Sequence, residues 1–366
     1  MRIKWRTPLQ KMKFWIGVII AIIILFDLKA QWNLLTTTVH LETKHRISGK
    51  QSNSMLSNTS KQNEQYSYPP ENFQVNGSDI MVQLHIQKTG GSKFEFKIIR
   101  DLQLQRNCRE LPRKKTARCF RPNSQTEQWL FSRQTTKWAC GVHADWTSLT
   151  ECIGHSSSRF EMKKNSSDYR YFYITLLRNP IQRYISEWIH VKRGGTWKTT
   201  KYVCKGQRSY IPRCYSGTTW SDVSLSKFIE CQYNMANNRQ TRMLADLKLV
   251  ECYKMFMTNE TYPDVYNVWQ RNMLNSAKQN LESMAFFAIT ERMEESQMLF
   301  EHKFGLRFQS KMEQWDKTNA NTYQLTKREM EQIKRNNQLD MELYEFAVKL
   351  FNKRLSFIKT QPRIIV

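Results

Sequence analysis

The chain has 366 residues, 40% of them hydrophobic and 12% aromatic, which is enough apolar matter for a sizeable core. Its 57 Lys and Arg against 32 Asp and Glu give a formal net charge of +25, so the expected partner is a polyanion or an acidic surface. Eight cysteines without a C-x-x-C pair speak against a zinc site.

In chain order, Arg2, Lys4, Arg6, Lys11 and Lys13 precede an apolar run from Phe14 to Phe26, which Leu28, Trp32, Leu34 and Leu35 can extend. Positive charge on the N-terminal side keeps that side cytoplasmic. The expectation is a type II signal anchor, with a cytoplasmic tail over 1–13 and a membrane span over 14–35. A cleaved signal peptide is the alternative, although Asp27-Leu28-Lys29-Ala30 makes a poor cleavage site. Either way the chain enters the secretory pathway, and nucleic acid drops out as the polyanion. N-x-S/T acceptors at Asn58, Asn76, Asn165 and Asn259 fit that compartment. So do the cysteines, all beyond the anchor and read as several disulfides of open connectivity. Residues 36–78, rich in Ser, Asn, Gln, Thr and Lys, read as a flexible stem.

The globular part is expected from residue 79 to 358, with a short tail over 359–366. Ile80 to Ile86 reads as a buried strand, Lys88-Thr89-Gly90-Gly91-Ser92 as a turn, and Phe94 to Leu104 as a helix. Residues 105–128 read as a polar, basic loop. A second strand–turn–helix unit runs from Tyr171 to Leu177, through Arg178-Asn179-Pro180, to Ile181–Val191, with proline suited to the first helical turn. A third pairs Ala285–Ile289 with a helix from Arg292 to about Phe304. Thr326 to Leu355 is a long amphipathic helical stretch. Strands alternating with helices imply an α/β fold with a central parallel sheet flanked by helices.

Glycines at a strand end let the backbone approach a phosphate, and the next helix start offers free N–H groups. Lys88 and Thr89 add a cation and a hydroxyl. The order G-x-x-x-x-G-K-S/T is absent, so this is P-loop-like rather than a P-loop. Arg178 ends the second strand, and Ser186 lies two helical turns into the following helix. Together they suit a second phosphate. A donor with both clusters occupied fits a 3′,5′-bisphosphorylated adenosine. A kinase would want a full P-loop and acidic magnesium ligands.

These segments resemble a known family. Leu84-His85-Ile86-Gln87-Lys88-Thr89-Gly90-Gly91 and Arg178-Asn179-Pro180, with Arg183 and Ser186, are similar to the donor motifs of membrane-bound sulfotransferases. Trp129–Arg133, Cys140–Trp146, Ser186–His190, Gly195–Thr199, Asn237–Gln240 and Arg242–Asp246 resemble the heparan-sulfate 6-O-sulfotransferases in particular, over about residues 80–355. The resemblance implies a Golgi membrane enzyme with its catalytic domain in the lumen. It would move sulfonate from PAPS (3′-phosphoadenylyl sulfate), without a metal, to the 6-hydroxyl of glucosamine units in a heparan sulfate chain.

By position, the resemblance implies that His85, Ile86, Gln87, Lys88, Thr89, Gly90, Gly91, Ser92 and Lys93 hold the 5′-phosphosulfate, and that Arg178 and Ser186 hold the 3′-phosphate. His143 becomes the general base, and Lys88 neutralises charge on the leaving oxygen. Lys114, Lys115, Arg133, Trp138, His190 and Trp197 contact the glycan. Glu313, Gln314, Trp315, Asn319 and Ala320 close over the donor. The chain departs from the family pattern at Ser92-Lys93-Phe94-Glu95, where Thr-Thr-Phe-Gly is usual, and at Asn179, where aspartate is usual. It also has fewer cysteines around Cys108 and Cys119 and lacks an arginine near Asn319. It reads as a divergent member. The nearest rival is another carbohydrate O-sulfotransferase, acting on a different hydroxyl or glycan; a non-catalytic heparin-binding protein would share the basic surface without needing Lys88, Arg178, Ser186 and His143 together.

Overall fold

The computed structural model describes residues 67–112, 116–155, 169–196, 200, 202–256, 263–314, 320 and 323–360. The elements begin with β1 (Asp79–Leu84) and α1 (Gly91–Asp101), then a small hairpin of β2 (Arg109–Glu110) and β3 (Ala117–Arg118). Next come β4 (Leu130–Phe131), α2 (Arg133–Thr136), α3 (Trp146–His155), β5 (Arg170–Leu177) and α4 (Pro180–Lys192). A second hairpin, β6 (Tyr202–Cys204) and β7 (Gln207–Ser209), precedes α5 (Leu225–Glu230), α6 (Arg239–Leu244) and α7 (Pro263–Ser283). The chain then runs through β8 (Phe286–Ile289), α8 (Met293–Phe304), α9 (Lys327–Asn336) and α10 (Gln338–Thr360).

Four strands form one sheet in the order β4-β1-β5-β8, and every pairing is parallel. The β1 strand is buried along its whole length, as a central strand covered on both faces requires. Leu84 pairs with Thr175 and Leu177 with Ile289, so the strand–loop–helix turns after β1, β5 and β8 open at one edge of the sheet. In open α/β sheets that carboxyl edge is where ligands bind. The β4 strand, with only Leu130 and Phe131 in the ladder, is too short for a periodicity and escapes the sequence reading.

The helix starts follow local chemistry. Asn179 accepts from the N–H groups of Ile181 and Gln182 at 3.1 and 3.2 Å, and Pro180 occupies the first turn. Thr326 and Glu329 form a capping box at α9. The helical stretch expected over Thr326–Leu355 is divided into two helices. Asn337, fully buried between them, donates to the Ile333 carbonyl (2.8 Å) and accepts from Asn238 N–H (3.1 Å). A buried amide satisfied outside the helix ladder favours a break.

Packing also starts earlier than the expected stem boundary at residue 78. Tyr68 and Phe73 are 4% and 7% exposed and belong to the main core. Tyr68 donates to the Ala285 carbonyl at 2.8 Å. The expected loop over 105–128 contains the β2–β3 hairpin, closed by the Cys108–Cys119 disulfide. The remaining cysteines pair as Cys140–Cys152, Cys204–Cys252 and Cys214–Cys231. A smaller core gathers around α4, with Tyr184, Ile185 and Trp188 against Leu225, Phe228 and Ile333. The anchor and the stem up to residue 66 lie outside the described residues. Among the described residues no helix is long and apolar enough to cross a membrane.

Candidate active site

The loop after β1 is wound tightly. Lys88 at φ 67° and Gly90 at φ 83° both lie in the left-handed region, a conformation a lysine rarely adopts. Thr89, fully buried, donates its hydroxyl to the Ile86 carbonyl at 3.0 Å. Thr290, just past β8, donates to the carbonyls of Thr89 (2.6 Å) and Leu177 (2.9 Å), so the third strand end pins the first loop. A Cβ on Gly91 would lie 3.2 Å from the His85 ring, a tight contact that glycine spares where the helix start packs on that imidazole.

The loop after β5 meets this one. Arg178 donates to the Lys88 carbonyl at 3.3 Å, and its own backbone is clasped by the Gln240 side chain at 2.9 Å on both N–H and C=O. Burial lowers the pKa of Lys88; Glu187 opposes this, while Arg178, Arg193 and Arg183 add to it. Burial lowers Arg178 too, with Glu291 opposing and Arg183 adding. The loops thus gather positive charge that burial makes costly and that an anionic ligand would relieve. Ser186 is half-buried on α4. Arg183, part of the same motif, is fully buried in a network with Glu187, Arg239 and the Ala236 carbonyl.

His143 stands across the donor loop. It too has a left-handed backbone, φ 54°, in the irregular segment between α2 and α3. Three ties fix this segment. Cys140 is bonded to Cys152 on α3. Asp145 caps α3 by accepting from Ser148 N–H (2.8 Å) and also takes the Tyr253 hydroxyl. The Gly141 N–H donates to the Trp138 carbonyl at 2.9 Å. The His143 ring lies 4.5 Å from Trp138 and 5.5 Å from His85, and the Arg133 guanidinium sits 5.1 Å over the Trp138 ring. Arg133 also donates to Ser92 at 3.2 Å. Gln83, His85, Arg133, Trp138 and His143 share one small pocket.

Burial holds the His143 pKa well below the usual histidine value, aided by the charges of His85, Arg239 and Arg133; a hydrogen bond with the His85 backbone works the other way. His85 is pushed down to about 3 by burial and by Arg133. Both imidazoles are therefore neutral near pH 7, and a neutral imidazole can take a proton. His190 faces the donor side: burial and then Lys88 lower its pKa, with Glu187 opposing. A Cβ on Gly195 would fall 2.3 Å from the His190 ring, so this glycine makes room for it.

The structure brings together His85, Lys88, Arg133, Trp138, His143, Arg178 and His190. Ile86, Gln87 and Thr89 are buried in the loop, while Lys93 is exposed. Gln314 bridges the Thr290 carbonyl (3.0 Å) and Met293 N–H (3.1 Å), beside the threonine that pins the donor loop. Glu313 is exposed, and Ala320 is buried in the core around α4. Lys114, Lys115, Trp197, Trp315 and Asn319 lie outside the described residues. Sequence reading missed Thr290 and Gln240. A polar residue directly after the third strand was a usable signal for Thr290; Gln240 stood in the Asn237–Gln240 motif, but nothing there gave it a role at the donor loop.

A parallel sheet with a glycine-bearing basic loop, a second strand-end arginine and a neutral histidine opposite fits a transferase of an activated anionic group. Residues 71–347 match the model of the Sulfotransferase family, and the chain belongs to that family. Within it, the chain falls among the heparan-sulfate 6-O-sulfotransferases. It is 45% identical over 296 residues to heparan-sulfate 6-O-sulfotransferase 2 of Danio rerio, covering 80% of this chain and 62% of that protein. The identity is 44% over 293 residues to heparan-sulfate 6-O-sulfotransferase 3 of Homo sapiens, with 78% and 60% covered. It is 43% over 294 residues to heparan-sulfate 6-O-sulfotransferase 1 of Cricetulus griseus, with 80% and 72% covered. The chain thus spans about three fifths of the length of the first two relatives.

Proposed function

We propose that this protein transfers a sulfonate group from PAPS to the 6-hydroxyl of glucosamine residues in heparan sulfate. The observation that supports this most is the His143 ring held 5.5 Å from His85, the first residue of the loop that carries Lys88. The donor loop of residues 85–93 would hold the 5′-phosphosulfate, and Arg178 with Ser186 the 3′-phosphate. Gln314, with Glu313, Trp315, Asn319 and Ala320, would cover the donor.

His143 takes the proton of the attacking hydroxyl as the new S–O bond forms. Lys88 stabilises the bridging oxygen as its bond to sulfur breaks and adenosine 3′,5′-bisphosphate departs. As in phosphoryl transfer, positioning and charge stabilisation carry most of the rate. Arg133, Trp138 and His190, with Lys114, Lys115 and Trp197, align the glycan. An N-terminal anchor over residues 14–35 would place the domain in the Golgi lumen as a single-pass type II protein.

The test is incubation of the protein with labelled PAPS and 6-O-desulfated heparan, followed by disaccharide analysis. The expected result is label on the 6-hydroxyl of glucosamine. Label at another position, or none, overturns the proposal.

A further inference from the structure

A second cavity, of about 460 Å³, lies under the β6–β7 hairpin and shares no residue with the His143 pocket. Its volume is within the ~300–1,000 Å³ of small-ligand sites. Glu187 and Arg239, 1% and 2% exposed, belong to its lining. Glu187 is already compensated by Arg183 and Arg239. On the outer side stand Arg208 and Arg213, both exposed, and Tyr210, 78% exposed. Among the described residues neither outer arginine has an ion-pair partner. Two hydroxyls of the lining, Thr200 Oγ1 and Tyr215 Oη, are buried and likewise without a partner among the described residues.

The walls are built in advance of any ligand. Cys204–Cys252 staples the hairpin, and Cys214–Cys231 ties the following segment to the end of α5. The cavity also lies beside the reacting centre. The Glu187 charge acts on Lys88 and His190, and that of Arg239 acts on His143. Thr196, in the lining, follows Gly195, the residue packed on the His190 ring.

We propose that this cavity is a subsite for an anionic sugar unit of the acceptor chain that lies beyond the immediate neighbours of the acceptor glucosamine. Arg208 and Arg213 bind its carboxylate or sulfate, and Tyr210 covers a ring face. The assignment rests on the transferase reading above. It predicts a dependence of rate on acceptor length, because a short acceptor fills the His143 pocket but not this one. Charge-assisted pairs of arginine with an anion are strong and geometrically selective.

The experiment compares wild type with the double variant Arg208→Ala, Arg213→Ala, and with a control pair, Lys254→Ala and Arg271→Ala, exposed basic residues outside the cavity. The acceptors are an N-sulfated octasaccharide, an N-acetylated octasaccharide and an N-sulfated trisaccharide, each without 6-sulfate. The expected result is that kcat/KM for octasaccharide over trisaccharide falls about tenfold in the cavity variant and holds in the control. A fall with the N-sulfated octasaccharide alone assigns a sulfate; an equal fall with both assigns a carboxylate. An unchanged ratio, or an equal fall in the control pair, overturns the subsite. Failure of the transferase reading is separate: wild type would then sulfate no acceptor.

Discussion

The two sides of the active site are held by different means. On the donor side, Lys88 and Arg178 sit at the ends of paired parallel strands, and Thr290 and Gln240 lock their loops through side-chain hydrogen bonds to backbone. On the acceptor side, His143 and Trp138 ride on a segment without regular structure, fixed by Cys140–Cys152 and by Asp145. The donor geometry is thus a property of the sheet, whereas the acceptor geometry depends on a cross-link and a buried carboxylate. The two halves should fail independently.

Removing the acceptor-side base gives the largest expected separation. His143→Ala should cut kcat/KM by ~10²–10⁴, the usual worth of a positioned general base. Binding of adenosine 3′,5′-bisphosphate, followed by calorimetry, should stay within about twofold. Comparable losses of turnover and nucleotide binding would show that the sides are one unit. The pH profile adds a second reading. Because burial and nearby cations hold His143 well below the usual histidine value, the acid limb of kcat/KM should fall well under pH ~6.5. A limb centred at ~6.5 would place the controlling proton elsewhere.

Cutting the cross-link should be gentler. Cys140→Ser with Cys152→Ser frees a loop whose ends are 12 residues apart, closed by a disulfide worth ~3 kcal/mol in the chain-entropy model. The expected outcome is a kcat lower by ~10–100-fold, since small misplacements of a catalytic group are costly. The donor KM should be nearly unchanged. A donor KM raised as far as kcat falls would show that the cross-link supports the sheet as well.

This asymmetry explains what was legible in the sequence. The strands β1, β5 and β8 are buried apolar runs followed by helical spacing, so the parallel sheet and the positions of Lys88 and Arg178 could be read from pattern alone. His143 could not. It occupies a loop without periodicity, and only the family resemblance singled it out from seven histidines. The cross-links that fix it were open because connectivity depends on contacts between distant segments, as Cys204–Cys252 with a sequence separation of 48 shows. The break at Asn337 was invisible for a related reason. It depends on Asn238, which packs against it only in the folded chain.

The smallest expected effect lies at the seam between the two sides. Glu95 departs from the family pattern, is fully buried on α1, and accepts the Gln134 N–H of α2 at 2.5 Å. It thereby joins the donor helix to the segment bearing Arg133. Burial raises its pKa, outweighing hydrogen bonds from Ser132 and Gln134 and the charge of Arg133. A carboxyl whose folded pKa lies above its unfolded value of ~4.3 binds more protons when folded, so its contribution falls as pH rises. That contribution is complete below ~4.3 and is lost as pH passes through the folded pKa. Glu95→Gln keeps the shape and the acceptor oxygen but cannot ionise. Its advantage should be absent near pH 4 and reach about 1 kcal/mol at neutral pH, read as a Tm rise of ~2–4 °C. If wild type is instead the more stable at pH 7, the ionised carboxylate is a net tie between the halves, held by Ser132, Gln134 and Arg133 more strongly than burial opposes it. The donor and acceptor sides would then be coupled through this one charge, and the acceptor KM of Glu95→Gln should rise along with the loss of stability.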